Sequence, residues 1–114
     1  MDKIEYLKAA RALITNPENF TTGDWARDVH GESVDVNDTE AICFCTLGAM
    51  RKISYTTPGA NMSVKYDAEQ YLYNYASAHG MTIAAFNDTH GHTAVLDMFD
   101  TVIKHAESDT AADS

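Results

Sequence analysis

The sequence predicts an all-α fold, a small bundle of four main helices with short extra turns and a long connection anchored by Trp25. Apolar residues recur at helical spacing in four stretches, and capping or turn residues separate these stretches. Only one short segment alternates in the manner of a strand. The chain has 114 residues, a length that favours one domain. We expect this domain at residues 1–107 and a disordered acidic tail at residues 108–114.

The first predicted helix begins after Asp2, a capping residue, and reaches about Thr15, because proline follows the next residue. Residues 17–37 are a long polar connection. Its only tryptophan, Trp25, buries a large area if it anchors this connection on the core, although it could instead line a pocket or a partner surface. We expect a short helical turn at residues 24–28 and a small hairpin or extended loop at residues 29–36.

The second predicted helix covers residues 38–54, since Asn37 and Glu40 have a spacing close to that of a capping box. Glycine is unfavourable inside a helix, so Gly48 indicates that another backbone crosses closely there. Cys43 and Cys45 are the two cysteines of the chain. Two residues apart on a helix they point in different directions, and we expect reduced, partly buried thiols.

The third predicted helix covers residues 63–79, and Gly80 ends it. Its tyrosines, among them Tyr71, lie all around the helix and indicate a rim that is partly buried and partly in contact with water. Packing at the edge of the core is the commoner explanation of such tyrosines, and the alternative is that some of them face a partner. A short helical turn at residues 82–86 follows. We expect Asn87, Asp88 and Gly91 to interrupt the chain before a final helix at residues 93–106, which has the clearest apolar periodicity.

Asp88, His90 and His92 are the one cluster with recognisable ligand chemistry. A carboxylate and two imidazoles could bind one metal if this loop were extended. The same segment has a structural interpretation, in which Asn87 and Asp88 are partly buried and satisfy backbone donors around a turn. The glycines form no nucleotide-binding motif, and no serine nucleophile pattern or zinc spacing is present. We therefore expect no cofactor.

The chain is acidic, with a formal net charge of −9. Such a surface repels phosphate backbones, so we expect no direct nucleic-acid binding. It would suit a basic protein as partner, although the more common role of such charge is to keep a small protein soluble. The charged N-terminus lacks a secretory pattern, and no stretch approaches the roughly 20 apolar residues of a membrane span. We therefore expect a cytoplasmic protein without membrane contact.

Several short motifs together resemble a family of short uncharacterised proteins of bacteria and phages, a domain of unknown function. They are Gly23-x-Trp25, Cys45-x-x-Gly48-Ala49, and the Phe86-Asn87-Asp88 turn before the last helix. The resemblance implies a Cys-x-x-Gly-Ala helix and an aromatic-Asn-Asp turn. It implies no established activity, and the phage connection favours action on a host or defence protein. The chain has Phe86 where the family pattern leads us to expect tryptophan and His92 where it leads us to expect arginine.

The function predicted from these observations is a small acidic protein-interaction module. The candidate binding residues are Trp25, Tyr71, Asn87, Asp88, His90 and His92. One alternative is a metal-dependent or acid–base hydrolase centred on Asp88, His90 and His92. Another is an acidic mimic of nucleic acid, with phosphate-like carboxylates at Asp67, Glu69, Asp97 and Asp100. The sequence leaves the oligomeric state and the partner open.

Overall fold

The computed structural model describes residues 1–112, and this part of the chain contains four α-helices and a small two-stranded antiparallel sheet. The helices are α1 (Lys3–Leu13), α2 (Thr46–Thr56), α3 (Met62–Ala78) and α4 (Ile83–Ala112). The strands are β1 (Ala26–Arg27) and β2 (Cys43–Phe44), and a short 3-10 helix lies at Pro17–Asn19. The predicted all-α fold is confirmed.

One hydrophobic core lies between the helices, because each contributes an apolar stripe to it. α1 packs against the other three helices, and α3 packs along α4. The largest fully buried side chains include Tyr6, Leu7, Ile14, Met50, Leu72, Met98 and Phe99.

Local sequence signals fix the ends of α1 and α3. The Asp2 side chain accepts a hydrogen bond from the Glu5 amide, and the Glu5 carboxylate accepts one from the Asp2 amide, which forms a capping box. Asn61 caps α3 through the Val64 amide, and Gly80 follows α3 with φ +73°. Both helices lie within two residues of their predicted bounds.

The second helix begins later than predicted. Residues 38–42 are not helical, and Cys43–Phe44 forms β2, which pairs with Ala26–Arg27. Cys45 is the N-cap of α2, and its Sγ accepts a hydrogen bond from the Gly48 amide at 3.3 Å. The predicted helix start at residue 38 and the predicted helical turn at residues 24–28 are therefore wrong. Cys43–Phe44 lies inside the predicted helix, Ala26–Arg27 lies inside the predicted turn, and the two pair with each other as strands.

Backbone contacts anchor the long connection. The Trp25 carbonyl accepts a hydrogen bond from the Cys45 amide at 3.2 Å, and Ala26 is fully buried. A Cβ at Gly48 would overlap this carbonyl oxygen and lie 2.9 Å from the carbonyl carbon. The predicted close approach at Gly48 is thus confirmed, but Trp25 as a residue remains 46% exposed.

The last helix is longer than predicted and is interrupted at one residue. The Thr82 hydroxyl accepts a hydrogen bond from the Ala85 amide at the start of α4, and Asn87 and Asp88 are helical. Gly91 alone leaves helical geometry, with φ 81° and ψ −172°, a conformation that is nearly restricted to glycine. Gly91 thus divides α4 into two helical parts, and the second part begins close to the predicted start at residue 93, whereas the interruption predicted at Asn87 and Asp88 is wrong. The second part continues through Ala112, beyond the predicted end at residue 106 and into the predicted tail of residues 108–114. The rest of the predicted tail, residues 113–114, lies outside the described residues.

Candidate functional site

Asn87 lies at the centre of the site and is only 1% exposed. Its Oδ1 accepts hydrogen bonds from the backbone amide and the hydroxyl of Thr46, at 2.9 and 2.8 Å. Its Nδ2 donates to the Thr21 carbonyl and to Asp88 Oδ1. One side chain therefore ties α4 to the start of α2 and to the long connection, and the predicted burial and bonding of Asn87 are confirmed.

Asp88 holds the connection through one carboxylate oxygen. Its Oδ1 accepts hydrogen bonds from the Gly23 backbone amide at 3.0 Å and from Asn87 Nδ2 at 3.1 Å. The side chain is nevertheless exposed rather than partly buried as predicted, because it lies at the surface end of this network. No salt bridge to Asp88 forms within residues 1–112.

The two histidines after Asp88 have different surroundings. The His90 ring packs on Phe86 with a centroid distance of 4.5 Å and lies 6.5 Å from the His79 ring. The His92 Nε2 lies 2.6 Å from the Ile14 carbonyl oxygen, and its ring packs against Phe20. His90 ends a helical segment and His92 follows the break at Gly91, so the two imidazoles contact different neighbours. The extended loop that a shared metal would need does not form.

Metal-binding geometry is likewise missing elsewhere in the described part of the chain, where no three His, Cys, Asp or Glu side chains are placed to hold an ion. Asp88, His90 and His92 are close in sequence, but their side chains contact different parts of the fold. The metal-centred version of the hydrolase alternative therefore has no geometric support.

Tyr71 belongs to a different surface. Its hydroxyl donates to Asp109 Oδ2 at 2.6 Å, and Lys3 Nζ lies 5.3 Å from its ring centroid. The hydrogen bond with Asp109 and desolvation raise the pKa of Tyr71. The tyrosine lines a groove of about 340 Å³ between α3 and the end of α4, with His105 and Asp109. The fold thus places it away from the network of Asn87 and Asp88.

Trp25 is shared by two clefts. The Asp88 cleft has a volume of about 110 Å³ and is lined by Gly23, Asp24, Trp25, Cys45, Leu47, Ala84, Asn87 and Asp88. The Arg51 cleft has a volume of about 180 Å³ and is lined by Trp25, Val34, Asp35, Val36 and Arg51. Three of the predicted binding residues, Trp25, Asn87 and Asp88, therefore meet at one place.

Arg51 and Tyr55 complete an exposed cluster around Trp25 that the sequence prediction missed. The Arg51 guanidinium lies 5.5 Å from the Trp25 ring centroid and 5.8 Å from that of Tyr55. Arg51 Nε also donates a hydrogen bond to the Tyr55 hydroxyl at 3.1 Å, and this bond raises the pKa of Arg51. The spacing of four residues on one helix is the signal that could have found the pair.

Cys45 contributes a wall of the Asp88 cleft rather than a reactive group. Its side chain is 7% exposed, and burial raises the pKa of its thiol. A thiolate is the nucleophilic form of cysteine, so the raised pKa disfavours nucleophilic chemistry at neutral pH. Both cysteines are free.

The carboxylates considered for nucleic-acid mimicry are partly neutralised. Asp100 forms a two-point ion pair with Arg11, at 2.7 and 3.2 Å, and Glu69 pairs with Lys65 at 2.6 Å. Each ion pair removes one free negative charge from a face that would have to imitate a row of phosphates.

Comparison with known proteins gives a family but no activity. The model of a family of unknown function, DUF6197, matches residues 2–105. The chain belongs to this family. The match covers α1, α2, α3, most of α4 and the residues that line the two clefts around Trp25. No curated protein and no solved structure matches the chain.

Among the described residues, no helix is long and apolar enough to cross a membrane.

Proposed function

We propose that this DUF6197 protein is a protein-interaction module whose contact surface is the exposed cluster of Trp25, Arg51 and Tyr55. The observation that carries this proposal is the stacking of the Arg51 guanidinium near both aromatic rings. Trp25 and Tyr55 are 46% and 48% exposed. Tryptophan, tyrosine and arginine are the residues that most often dominate the binding energy of protein interfaces.

The cluster is held in place before any partner arrives, which favours binding. Arg51 and Tyr55 lie on α2, and the Trp25 backbone is fixed by the Cys45 amide and by the close contact at Gly48. The hydrogen bond from Arg51 to Tyr55 restricts two long side chains. A surface with few free rotamers loses less entropy on association, so more of its contact energy contributes to affinity.

The net charge of −9 indicates the kind of partner. Attraction between opposite charges accelerates association and disfavours partners of like sign, so we propose a partner with a basic surface. In keeping with the resemblance to bacterial and phage proteins, we propose that the protein acts in the cytoplasm on a bacterial host or defence protein. The proposal requires no cofactor.

Truncation of the indole tests this function. Tagged wild-type protein and the Trp25→Ala variant are used to capture proteins from lysate of the natural host, with quantification by mass spectrometry. A partner at this surface should be captured by the wild type and lose about 30-fold in affinity with Trp25→Ala, the effect of a hot spot worth about 2 kcal/mol. The fold should persist, because the anchoring contacts of Trp25 come from its backbone.

Tyr73→Ala is the matched control, since Tyr73 is an aromatic residue on α3 with 54% exposure. It should leave capture unchanged. Equal capture by wild type and both variants would show that the cluster of Trp25, Arg51 and Tyr55 is not the contact surface. Measurable turnover of a small substrate by the purified protein, lost in Asp88→Ala with the fold intact, would replace the proposal with an enzymatic one.

A further inference from the structure

We infer that the Asp88 cleft receives a single Lys or Arg side chain of the partner, an inference that rests on the proposed interaction function. The cleft combines apolar walls with one open carboxylate. Leu47, Ala84, Trp25 and Asp88 are among the residues that line it. Lysine and arginine side chains match this combination, because each has an apolar stem and a cationic head.

The size of the cleft selects for one side chain. Its volume is about 110 Å³, whereas sites for small molecules and cofactors usually have roughly 300–1,000 Å³. Asn87 also lines it, and both polar atoms of its side chain are already hydrogen-bonded. Asn87 therefore has no free polar atom for a ligand, and a bound side chain would be recognised by the other residues of the cleft.

The charges around the cleft select for a cation. Asp24 is already paired with Arg27 at 2.8 Å and accepts a hydrogen bond from the Ser33 hydroxyl. Asp88 has no such ion pair within residues 1–112. Its Oδ1 accepts from the Gly23 amide and from Asn87, and these bonds orient the carboxylate without neutralising it. An incoming ammonium or guanidinium would supply the missing positive charge.

Trp25 adds to this preference. It lines the same cleft as Asp88, and an indole ring attracts a cation that approaches its face through the ring quadrupole. Since Trp25 also contacts Arg51, a side chain bound in the Asp88 cleft would lie directly beside the proposed contact surface. The partner segment is therefore one that places a Lys or Arg next to the residue that packs on Trp25.

Titration with amino-acid probes tests the cleft without any partner. The probes are Nα-acetyl-lysine amide, Nα-acetyl-arginine amide and the uncharged Nα-acetyl-norleucine amide. Binding is followed by ¹⁵N NMR at the Gly23 amide and the Trp25 indole N–H. We expect saturable shifts with at least one cationic probe and weaker or no shifts with norleucine amide.

Asp88→Asn removes the charge while keeping an amide oxygen that can accept from the Gly23 amide. It should weaken binding of the cationic probe about fivefold, as expected for one exposed charge pair. Asp97→Asn, which changes the net charge equally at an exposed site of α4, should have no such effect. No saturable shift with either cationic probe, equal binding of norleucine amide, or equal affinity in Asp88→Asn would each overturn the inference.

The two proposals can fail separately. If capture depends on Trp25 but Asp88→Asn leaves the cationic probes bound as in the wild type, the interaction function stands and the assignment of the cleft is wrong. If the probes bind as expected but capture is independent of Trp25, the cleft recognises cations and the proposed contact surface is wrong.

Discussion

Replacement of Asn87 by alanine should destabilise the protein strongly, because this side chain satisfies groups that water cannot reach. Thr46 is fully buried, and both its backbone amide and its hydroxyl donate to Asn87 Oδ1. Each buried donor left without an acceptor costs about 1–3 kcal/mol. Asn87→Ala should therefore lower the free energy of unfolding by about 2–6 kcal/mol, a large part of the 5–15 kcal/mol typical of a domain.

Equilibrium unfolding in urea, followed by circular dichroism, measures this change. The matched control is Asn74→Ala, because Asn74 is an exposed asparagine on α3 whose side chain, within residues 1–112, bonds only to Gln70. The control should change the free energy by no more than about 0.5 kcal/mol. A loss below about 1 kcal/mol for Asn87→Ala would refute the reasoning that Asn87 is the sole acceptor for Thr46.

Three further predictions follow from single contacts. Gly48→Ala should destabilise by about 1–3 kcal/mol in urea unfolding, because its Cβ would meet the Trp25 carbonyl; stabilisation, as helix propensity alone predicts, would contradict this contact. Burial raises the pKa of Tyr6 from 10.0 to about 12. The contribution of this shift to the free energy of unfolding is therefore complete below pH 10, and up to about 3 kcal/mol of it is lost as the pH rises to 12. Tyr6→Phe should flatten that part of the pH–stability curve, and an unchanged slope would contradict it. Iodoacetamide at neutral pH should label Cys43 before Cys45, whose thiol is more buried and has a raised pKa; peptide mapping showing the opposite order would exclude this.

The elements that could be predicted from the sequence are those whose signals are local. The capping residues Asp2 and Asn61 fix the starts of α1 and α3, and Gly80 ends α3. The close approach at Gly48 was predictable because glycine inside a helix needs a packing reason. Each of these conclusions depends on a few neighbouring residues and on no distant contact.

The start of α2 could not be predicted in the same way. The segment around Cys43 has helical spacing, but it pairs with Ala26–Arg27, and this pairing is decided by tertiary contacts. The Cys45 side chain then caps α2, a role for which serine, threonine, aspartate and asparagine are the usual residues. A cysteine at this position gave no capping signal in the sequence.

The candidate site was predictable in part. The sequence predicts Asn87 and Asp88 together as one turn and Trp25 independently of them, and the three come together at the Asp88 cleft. The histidines were grouped with Asp88 because they are close in sequence, and the continuation of α4 up to Gly91 directs them to different neighbours. Arg51 and Tyr55 were missed, since exposure of a helix face depends on packing that the sequence alone does not reveal.

Site-specific photo-crosslinking tests the proposed contact surface most directly. A benzophenone amino acid replaces Tyr55 in one sample and Tyr73 in another, and each protein is irradiated in lysate of the natural host. The proposed surface predicts a discrete protein adduct from position 55, none from position 73, and loss of the adduct when Trp25→Ala is added. No adduct at position 55, or equal adducts at both positions, would contradict a contact surface formed by Trp25, Arg51 and Tyr55.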